Sequence, residues 1–352
     1  MSTSVEAPPR TRGPRRRIGG RAASVRIAGL VGALVVLLVV MALSLGIGAK
    51  PMPLHTVVDG LLHGGNSPDA IIIRQLRVPR TLLGLGVGAA LGLAGAIMQA
   101  LTRNPLADPG ILGVNAGASL AVVLGMALLG LRTINAYVWL ALAGAAIATV
   151  VVYAIGSAGR GGATPVRLAL SGTAITAVFT GVITGVLLLD PSTFDQYRFW
   201  IVGALSGRGI GTVEQVTPFL VVGAVVALLL SRPLNAIALG EDTAQALGAR
   251  LGRTRVMSMI AVTLLCGAAT AAAGPITFVG LTVPHMARAV TGPDQRWVLP
   301  YALVLSPVLL LGSDVLGRLL GRPGELQVGI VTAFVGAPVF IALIRRKKLA
   351  QL

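Results

Sequence analysis

Residues 231–255 read SRPLNAIALGEDTAQALGARLGRTR, and this polar stretch separates two apolar segments that are each long enough to cross a bilayer. It contains two adjacent acids, Glu241 and Asp242, and then a short helical pattern that closes at Gly248. Acids in the first turn and glycine just after the last turn are typical of a short exposed helix. A membrane protein has little use for a helix in a connecting loop unless another protein binds there. We therefore predict that this segment is a docking site for a protein partner.

The composition indicates a polytopic membrane protein. Hydrophobic residues make up 55% of the chain and charged residues only 12%. The net charge of +17 would ordinarily raise the question of nucleic-acid binding. Here the basic residues lie in the loops between apolar segments, as the positive-inside rule expects, and they form no basic face. We expect membrane lipid, and not nucleic acid, to surround the protein.

Several kinds of chemistry are excluded by residue counts. One cysteine cannot form a disulfide framework, and one cysteine with three scattered histidines cannot form a metal cluster. The only lysines are Lys50, Lys347 and Lys348, and none follows a glycine, so the chain has no P-loop for ATP. We predict no catalytic residues, no metal site and no cofactor.

The apolar segments predict an all-α fold with ten transmembrane helices and both termini in the cytoplasm. A disordered basic tail (1–26) precedes a permease domain (27–344), and a second basic tail (345–352) follows it. Most of the 29 Lys and Arg residues fall on the cytoplasmic side of this topology. The predicted spans lie at about 27–48, 81–101, 110–131, 134–158, 168–189, 213–230, two within 256–286, 297–317 and 326–344. The two within 256–286 are predicted to form a tight hairpin at Gly274-Pro275 with an unusually short second helix, because a single helix would overshoot the bilayer.

The second predicted span carries small residues at strict four-residue spacing, which places them on one helix face. Such a face lets neighbouring backbones approach closely, so we expect this span to be buried inside the bundle. After it, Asp108 as N-cap and Pro109 as first helical residue are predicted to begin the third span. The stripe consists of Gly84, Gly88, Gly92, Ala96 and Ala100.

Four threonines share one face of the fifth span, at steps of three, four and four residues. They either line a pathway for a polar substrate or bond to carbonyls one turn back and to neighbouring helices, and the sequence gives both readings similar weight. The stripe consists of Thr173, Thr176, Thr180 and Thr184. The aromatic cluster that follows, in residues 194–200, is either an interfacial belt or a short helix at the mouth of a pathway.

Four sets of residues, in this order and spacing, resemble the permease subunits of iron–siderophore, cobalamin and haem ABC importers, the FecCD-like family. The resemblance covers nearly everything from the second to the tenth span. The sets are Arg77-Val78-Pro79-Arg80-Thr81 with Gln99 and Arg103-Asn104-Pro105-Leu106-Ala107; Ala238-Leu239-Gly240-Glu241 with Leu247-Gly248; Gly274-Pro275-Ile276-Thr277-Phe278-Val279-Gly280-Leu281 with Pro284-His285 and Arg288; and Asp314 with Arg318, Glu325, Val328-Gly329 and Thr332-Ala333.

The resemblance implies a permease that forms half of a transmembrane pathway in the bacterial inner (cytoplasmic) membrane. A second permease, identical or related, would supply the other half, and two cytoplasmic ATPase subunits would bind residues 231–255. An external binding protein would deliver the metal chelate. The family pattern places the ATPase contact at Leu239, Gly240, Glu241, Asp242, Leu247 and Gly248.

The resemblance also implies that Arg77, Arg80 and Arg318 meet carboxylates of the external binding protein. Without it, arginines at span ends would be read as basic side chains that snorkel to the interface. Asp314 is expected to pair with Arg318 one helical turn later. The sequence departs from the family at Asp294-Gln295-Arg296 and at Gln327, and Pro165-Val166 leave the cytoplasmic gate residues undetermined.

Two other function classes compete with an ABC permease. A secondary transporter driven by an ion gradient usually needs ionisable groups within the membrane, and the first eight predicted spans contain a single Asp, Glu, Lys or Arg, Glu214 at the start of the sixth. A membrane-embedded enzyme would need a constellation of His, Asp, Glu, Cys or activated Ser, and none gathers in the sequence. The sequence leaves open which chelate is carried and whether the permease pair is a homodimer or a heterodimer.

Overall fold

The computed structural model describes residues 18–48, 50–63, 67–158, 164–246, 248 and 250–345. Every regular element in these ranges is helical, which confirms the all-α prediction. The elements are α1 (Ile18–Gly46), α2 (Leu54–Leu62), α3 (Pro68–Ile71), a π-helical segment (Ile72–Arg77), α4 (Val78–Thr102), a 3-10 turn (Pro109–Leu112), α5 (Val114–Leu129), α6 (Ile134–Ser157), α7 (Pro165–Leu189), α8 (Pro191–Ile201), α9 (Ile210–Leu229), α10 (Ser231–Ala238), α11 (Glu241–Ala246), α12 (Leu251–Ala273), α13 (Val279–Thr291), α14 (Gln295–Leu320) and α15 (Val328–Arg345).

Each of the ten predicted spans contains a helix, but the helices differ in length. Within the described ranges, seven are long and apolar enough to cross a membrane. Helices Val114–Leu129 and Val328–Ala342 are shorter but apolar, and α13 has only 13 residues. A 13-residue helix is about 20 Å long and does not cross a hydrocarbon core of about 30 Å by itself. The count of ten spans and the side of the termini therefore stay predictions.

Helix α4 lies at the centre of the bundle and packs against α9, α12, α13 and α14. The predicted small-residue face explains how. A Cβ atom added to Gly88 would lie 2.7 Å from the Cα of Pro307 in α14, and one added to Gly92 would collide with the hydroxyl of Ser306 in the same helix. Only small residues allow backbones to approach so closely. The prediction that this span is buried is confirmed.

The region 256–286 forms the predicted hairpin of a long and a short helix, α12 and α13. Gly274 ends α12 with φ of +77°, and a Cβ atom there would collide with the carbonyl oxygen of Trp200. Phe278 precedes α13 with φ of +69°, a conformation that is rare for a bulky residue. The turn therefore needs glycine at one end and constrains the backbone at the other.

Two helix starts differ from the predictions. Helix α1 begins at Ile18, inside the predicted disordered tail, and residues 1–17 lie outside the described ranges. The tyrosine hydroxyl of Tyr301 donates to the carbonyl oxygen of Arg26 at 2.6 Å, so this first part of α1 is anchored to α14. Asp108 does act as an N-cap, but of the 3-10 turn, because Gly113 adopts φ of +71° and breaks the chain before α5.

Charged and polar residues concentrate at the two ends of the bundle. We call the end where α1 and α14 finish and α4 and α9 begin the outward end, after its predicted orientation. The opposite end, which carries α10 and α11, is called the inward end. The aromatic stretch 194–200 lies in α8, where Tyr197 and Trp200 are buried while Phe194 and Phe199 are exposed.

Candidate functional site

The outward end contains an ion-pair network built from two helices and one loop. Arg80, near the start of α4, donates to both carboxylate oxygens of Asp314 in α14, at 2.8 Å and 3.0 Å. It also donates to Glu325 at 2.7 Å. Arg318 donates to Asp314 at 2.6 Å, which confirms the predicted pairing one turn apart. Asp314 is only 1% exposed, so one buried carboxylate is shared by two cations.

The C-terminus of α1 is held by two of the predicted arginines. Arg318 donates to the carbonyl oxygens of Ser44 and Ile47, at 2.8 Å and 2.6 Å. Arg77 donates to Leu45 and Gly46 at 2.5 Å and 2.8 Å, and also to Lys50. The last carbonyls of a helix have no partner within the helix and carry partial negative charge. The positive charges of both guanidinium groups are therefore compensated by partners within the chain.

The π-helical segment Ile72–Arg77 leads directly into α4 and helps to place these arginines. Such segments change the register of side chains along a helix and occur often at functional sites. Arg74 within it donates to the carbonyl oxygens of Gly60 and Leu61, each at 2.8 Å, and so joins α2 to the same end.

The structure brings Arg77, Arg80 and Arg318 together around one cavity of about 490 Å³. Lys50, Arg208 and Glu325 also line it. Lys50 forms an ion pair with Asp69 at 2.5 Å. The predicted docking arginines thus share one site, but Arg77 and Arg318 are 5% and 2% exposed and have partners inside the chain. Their contact with an external protein stays a prediction.

Arg208 belongs to the same cavity and was not predicted from the sequence. It lies in the loop between α8 and α9, flanked by Gly207 and Gly209, and is 9% exposed. Burial lowers the pKa of its guanidinium, and Tyr137 only partly offsets that shift. The sequence feature that could have indicated Arg208 is an arginine between two glycines, just before an apolar helix. That feature is too weak to predict a binding site.

The inward end carries the predicted docking segment as a pair of short helices, α10 and α11. The predicted helix after Gly240 is present as Glu241–Ala246, whereas α10 was not predicted. Gly240 and Gly248 take φ of +102° and +81°, which favours glycine at both positions. Leu247 lies outside the described residues, and nothing is described for the side chains of Glu241 and Asp242.

The helix pair is attached to the bundle by apolar contacts and one amide. Leu234 of α10 is fully buried in the main core. Ile237 and Ala244 pack against Leu101 of α4 and Leu251 of α12. Asn235 donates to Asp294 at 2.6 Å and accepts from the backbone nitrogen of Gln295 at 2.8 Å, which ties α10 to the start of α14. Sequence reasoning missed Asn235, because its partner is far away in the chain.

Among the described residues of 231–250, one large apolar side chain is exposed. Leu239 follows α10 and is 63% exposed. An exposed leucine alone is unremarkable in a soluble protein. Here the other large apolar side chains described in the same polar segment, Leu234 and Ile237, are buried, so Leu239 is suited to be an anchor for a protein partner.

The predicted threonine stripe lies on a largely uncovered helix. Thr173, Thr180 and Thr184 of α7 are exposed and Thr176 is partly buried. The hydroxyl of Thr173 donates to the carbonyl oxygen of Ala169 at 2.9 Å, as one of the two readings expected. The exposure of these side chains fits both pathway lining and packing against a partner, so the role of the stripe stays a prediction.

No group of three or more His, Cys, Asp or Glu suited to a metal ion occurs among the described residues. Cys266 is buried in α12, and His285 contacts the carbonyl oxygen of Leu281 at 3.0 Å. Arg288 of α13 is 6% exposed and donates to Gln99 of α4.

Comparison with known proteins identifies relatives along nearly the whole chain. The model of the FecCD transport family matches residues 36–346. The chain is 51% identical over 331 residues to the ferric enterobactin transport system permease protein of Escherichia coli, covering 94% of this chain and 98% of the relative. It is 40% identical over 326 residues to the Fe(3+)-citrate import system permease protein of Bacillus subtilis, covering 93% and 97%.

A solved structure has the same fold. It is a chain in an inward-facing conformation from an ABC transporter assigned to the metal-chelate type, with a TM-score of 0.80 and 24% identity. The match covers 91% of this chain and 99% of that one.

Proposed function

Because this chain belongs to the FecCD transport family, we propose that it is the permease subunit of an ABC importer for a ferric siderophore or a related metal chelate. The observation that carries the proposal is 51% identity to a ferric enterobactin permease over 94% of the chain. The chain is a multi-pass protein of the bacterial cytoplasmic membrane and is a transport subunit, not an enzyme. Its partners include an ATPase and a substrate-binding protein.

The ATPase is proposed to bind the inward end, at α10 and α11. Exposed Leu239 and the absence of a Gly-Lys-Ser/Thr sequence support this, since the energy must come from another subunit. The contact is proposed to include Leu239, Gly240, Glu241, Asp242, Leu247 and Gly248. Two ATPase subunits and a second permease would complete the transporter, and the threonine stripe of α7 would face the pathway between the two permeases.

The external binding protein is proposed to dock at the outward end, where Arg77, Arg80 and Arg318 lie. The burial of these arginines limits how the idea can be tested. Reversing the charge of Arg318 would place a carboxylate beside buried Asp314 and would disturb the fold itself. A loss of docking in such a variant would therefore not separate recognition from folding.

ATP-dependent uptake tests the proposed function. The permease is reconstituted in vesicles with its ATPase and binding protein, and uptake is measured for a panel of ferric siderophores, ferric citrate and haem labelled with radioactive iron, and for cobalamin labelled with radioactive cobalt. We expect one class of chelate to accumulate only with ATP, and to do so equally after ion gradients are abolished by ionophores. Uptake that follows an imposed ion gradient without ATP would contradict the proposal and favour a secondary transporter.

A further inference from the structure

Arg208 is a buried cation whose charge is not compensated by a described residue. Its side chain is 9% exposed, and its Nε is buried without a hydrogen-bond partner. No described carboxylate forms an ion pair with it, and the neighbouring ionisable group is the hydroxyl of Tyr137. A buried charge without a partner is strongly unfavourable, so native proteins keep one mainly where a ligand compensates it.

The other cations of the cavity differ from Arg208 in this respect. Arg80 and Arg318 share Asp314, Lys50 pairs with Asp69, and Arg77 is bonded to carbonyl oxygens at the end of α1. The lining therefore carries an excess of positive charge whose uncompensated part is at Arg208. Charged side chains of one sign in a cavity of low dielectric focus the potential and attract an ion of opposite sign.

The backbone around Arg208 adds to this field and leaves room for a ligand. Helix α9 begins at the cavity, and its N-cap, Gly209, provides no side chain to accept from the free amide groups of the first turn. Those amides carry partial positive charge. A Cβ atom added at Gly207 or Gly209 would meet no other atom within 4 Å, so the space beside Arg208 is open.

The size of the cavity selects the kind of anion. Its volume of about 490 Å³ falls within the range of about 300–1,000 Å³ that is typical of sites for small molecules. A single carboxylate side chain from a docked protein would fill only a small part of it. The dimensions therefore favour a whole small-molecule anion over a side chain of the binding protein.

We propose that this outward cavity is a receiving site for an anionic ferric chelate on its way from the binding protein to the pathway, with Arg208 as the cation that contacts it. The inference rests on the proposed function and assigns its substrate class as anionic. Arg80, Asp314 and Arg318 fix the shape of the cavity, and Arg208 supplies the free charge. A neutral chelate of similar size would gain little from this site.

Ligand-dependent thermal unfolding of the purified permease in lipid nanodiscs tests the inference, because a ligand that binds only the folded state raises the melting temperature even when binding is weak. The probes are a ferric tris-catecholate, which is an anion, and a ferric tris-hydroxamate with a neutral metal core. We expect the anion to stabilise the parent and Arg208→Lys. Arg208→Gln should bind it about tenfold or more weakly, since a charge-assisted hydrogen bond is lost.

The control is Arg132→Gln, which removes the same charge from an exposed position at the outward end, outside the cavity. It should respond to the anion as the parent does. Without ligand, Arg208→Gln should unfold at the same or a higher temperature than the parent, because an uncompensated buried charge has been removed. A lower temperature would show that Arg208 has a structural role, and that outcome would overturn the inference.

Three further outcomes would overturn it. The first is that the anion raises the melting temperature of Arg208→Gln as much as that of the parent. The second is that the anion does not raise the melting temperature of the parent, and the third is that inorganic phosphate at matched ionic strength raises it equally. A parallel uptake measurement with the complete transporter separates this inference from the proposed function. If the complex imports a ferric chelate but the cavity does not bind the anion, only the inference fails.

Discussion

The two ends of the helical bundle are held together by different forces. At the outward end, Arg80, Asp314, Arg318 and Glu325 form a network of ion pairs that is mostly buried. At the inward end, α10 and α11 are attached by apolar contacts, namely Leu234 in the main core and a small cluster around Ile237, and by the amide of Asn235. A buried ionic network is stable only in one geometry, whereas apolar contacts are non-directional and tolerate small shifts.

This difference matches the two tasks assigned to the ends. A cavity that receives a charged ligand must keep its shape, since its charges have to be in place before the ligand arrives. A segment that transmits movement from an ATPase must be able to shift against the bundle, and non-directional apolar contacts permit such a shift. Helix α14 contacts both ends, through Asp294 at its start and Asp314 near its finish.

Removal of Asp314 is expected to have the largest effect. Asp314→Ala leaves Arg80 and Arg318 without their shared buried carboxylate and should destabilise the protein by about 3–5 kcal/mol. Thermal unfolding of the purified permease measures the change. The control is Asp195→Ala, whose carboxylate is 64% exposed and pairs with Arg198, and which should cost about 0–1 kcal/mol. Equal melting temperatures for Asp314→Ala and Asp195→Ala would contradict the claim that the buried network at the outward end stabilises the fold.

A smaller effect is expected at the inward attachment. Asn235→Ala removes two hydrogen bonds between α10 and the start of α14 and should cost about 1–2 kcal/mol. Because the link between the two helices is loosened, we also expect fewer chelate molecules imported per ATP hydrolysed. Thr217→Ala is the control, since Thr217 is exposed on α9 and its hydroxyl donates to Val213 within the same helix. If Asn235→Ala imports as many chelate molecules per ATP as the parent, the contact between α10 and α14 does not transmit the movement of the ATPase.

The smallest effect on stability is expected at Leu239. Leu239→Asp changes an exposed side chain and should alter the free energy of unfolding by no more than about 0.5 kcal/mol. It should nevertheless release the ATPase, because an apolar anchor has become a charge. Co-purification of the ATPase measures this. The control is Leu62→Asp, which changes a leucine that is 73% exposed at the outward end and should retain the ATPase. Release of the ATPase by both variants would contradict a specific contact at Leu239.

The features that the sequence predicts well are those set by local patterns. The spacing of Gly84, Gly88 and Gly92 indicates a buried helix, and Gly274-Pro275 indicates the α12–α13 hairpin, because each depends on residues close together in the chain. The same holds for the helix after Gly240 and for the pair of Asp314 with Arg318, one turn apart.

The features that the sequence does not predict depend on contacts between distant residues. Arg80 meets Asp314 across 234 positions, and Asn235 meets Asp294 across 59. Nothing in the local pattern around Arg77 indicates that its charge is taken up by the end of α1. For the same reason the sequence could not indicate that Arg208, and not one of the predicted arginines, keeps an uncompensated charge in the cavity.

The account assigns the two ends of the bundle to opposite sides of the membrane. The most direct test is to measure which side of the membrane each end faces. Single cysteines replace Leu62 and Leu239 in a Cys266→Ala background, and a membrane-impermeant thiol reagent is added to intact cells. We predict that position 62 reacts at once, and that position 239 reacts only after the membrane is opened and is protected when the ATPase is bound. Labelling of position 239 from outside, in intact cells, would contradict the account.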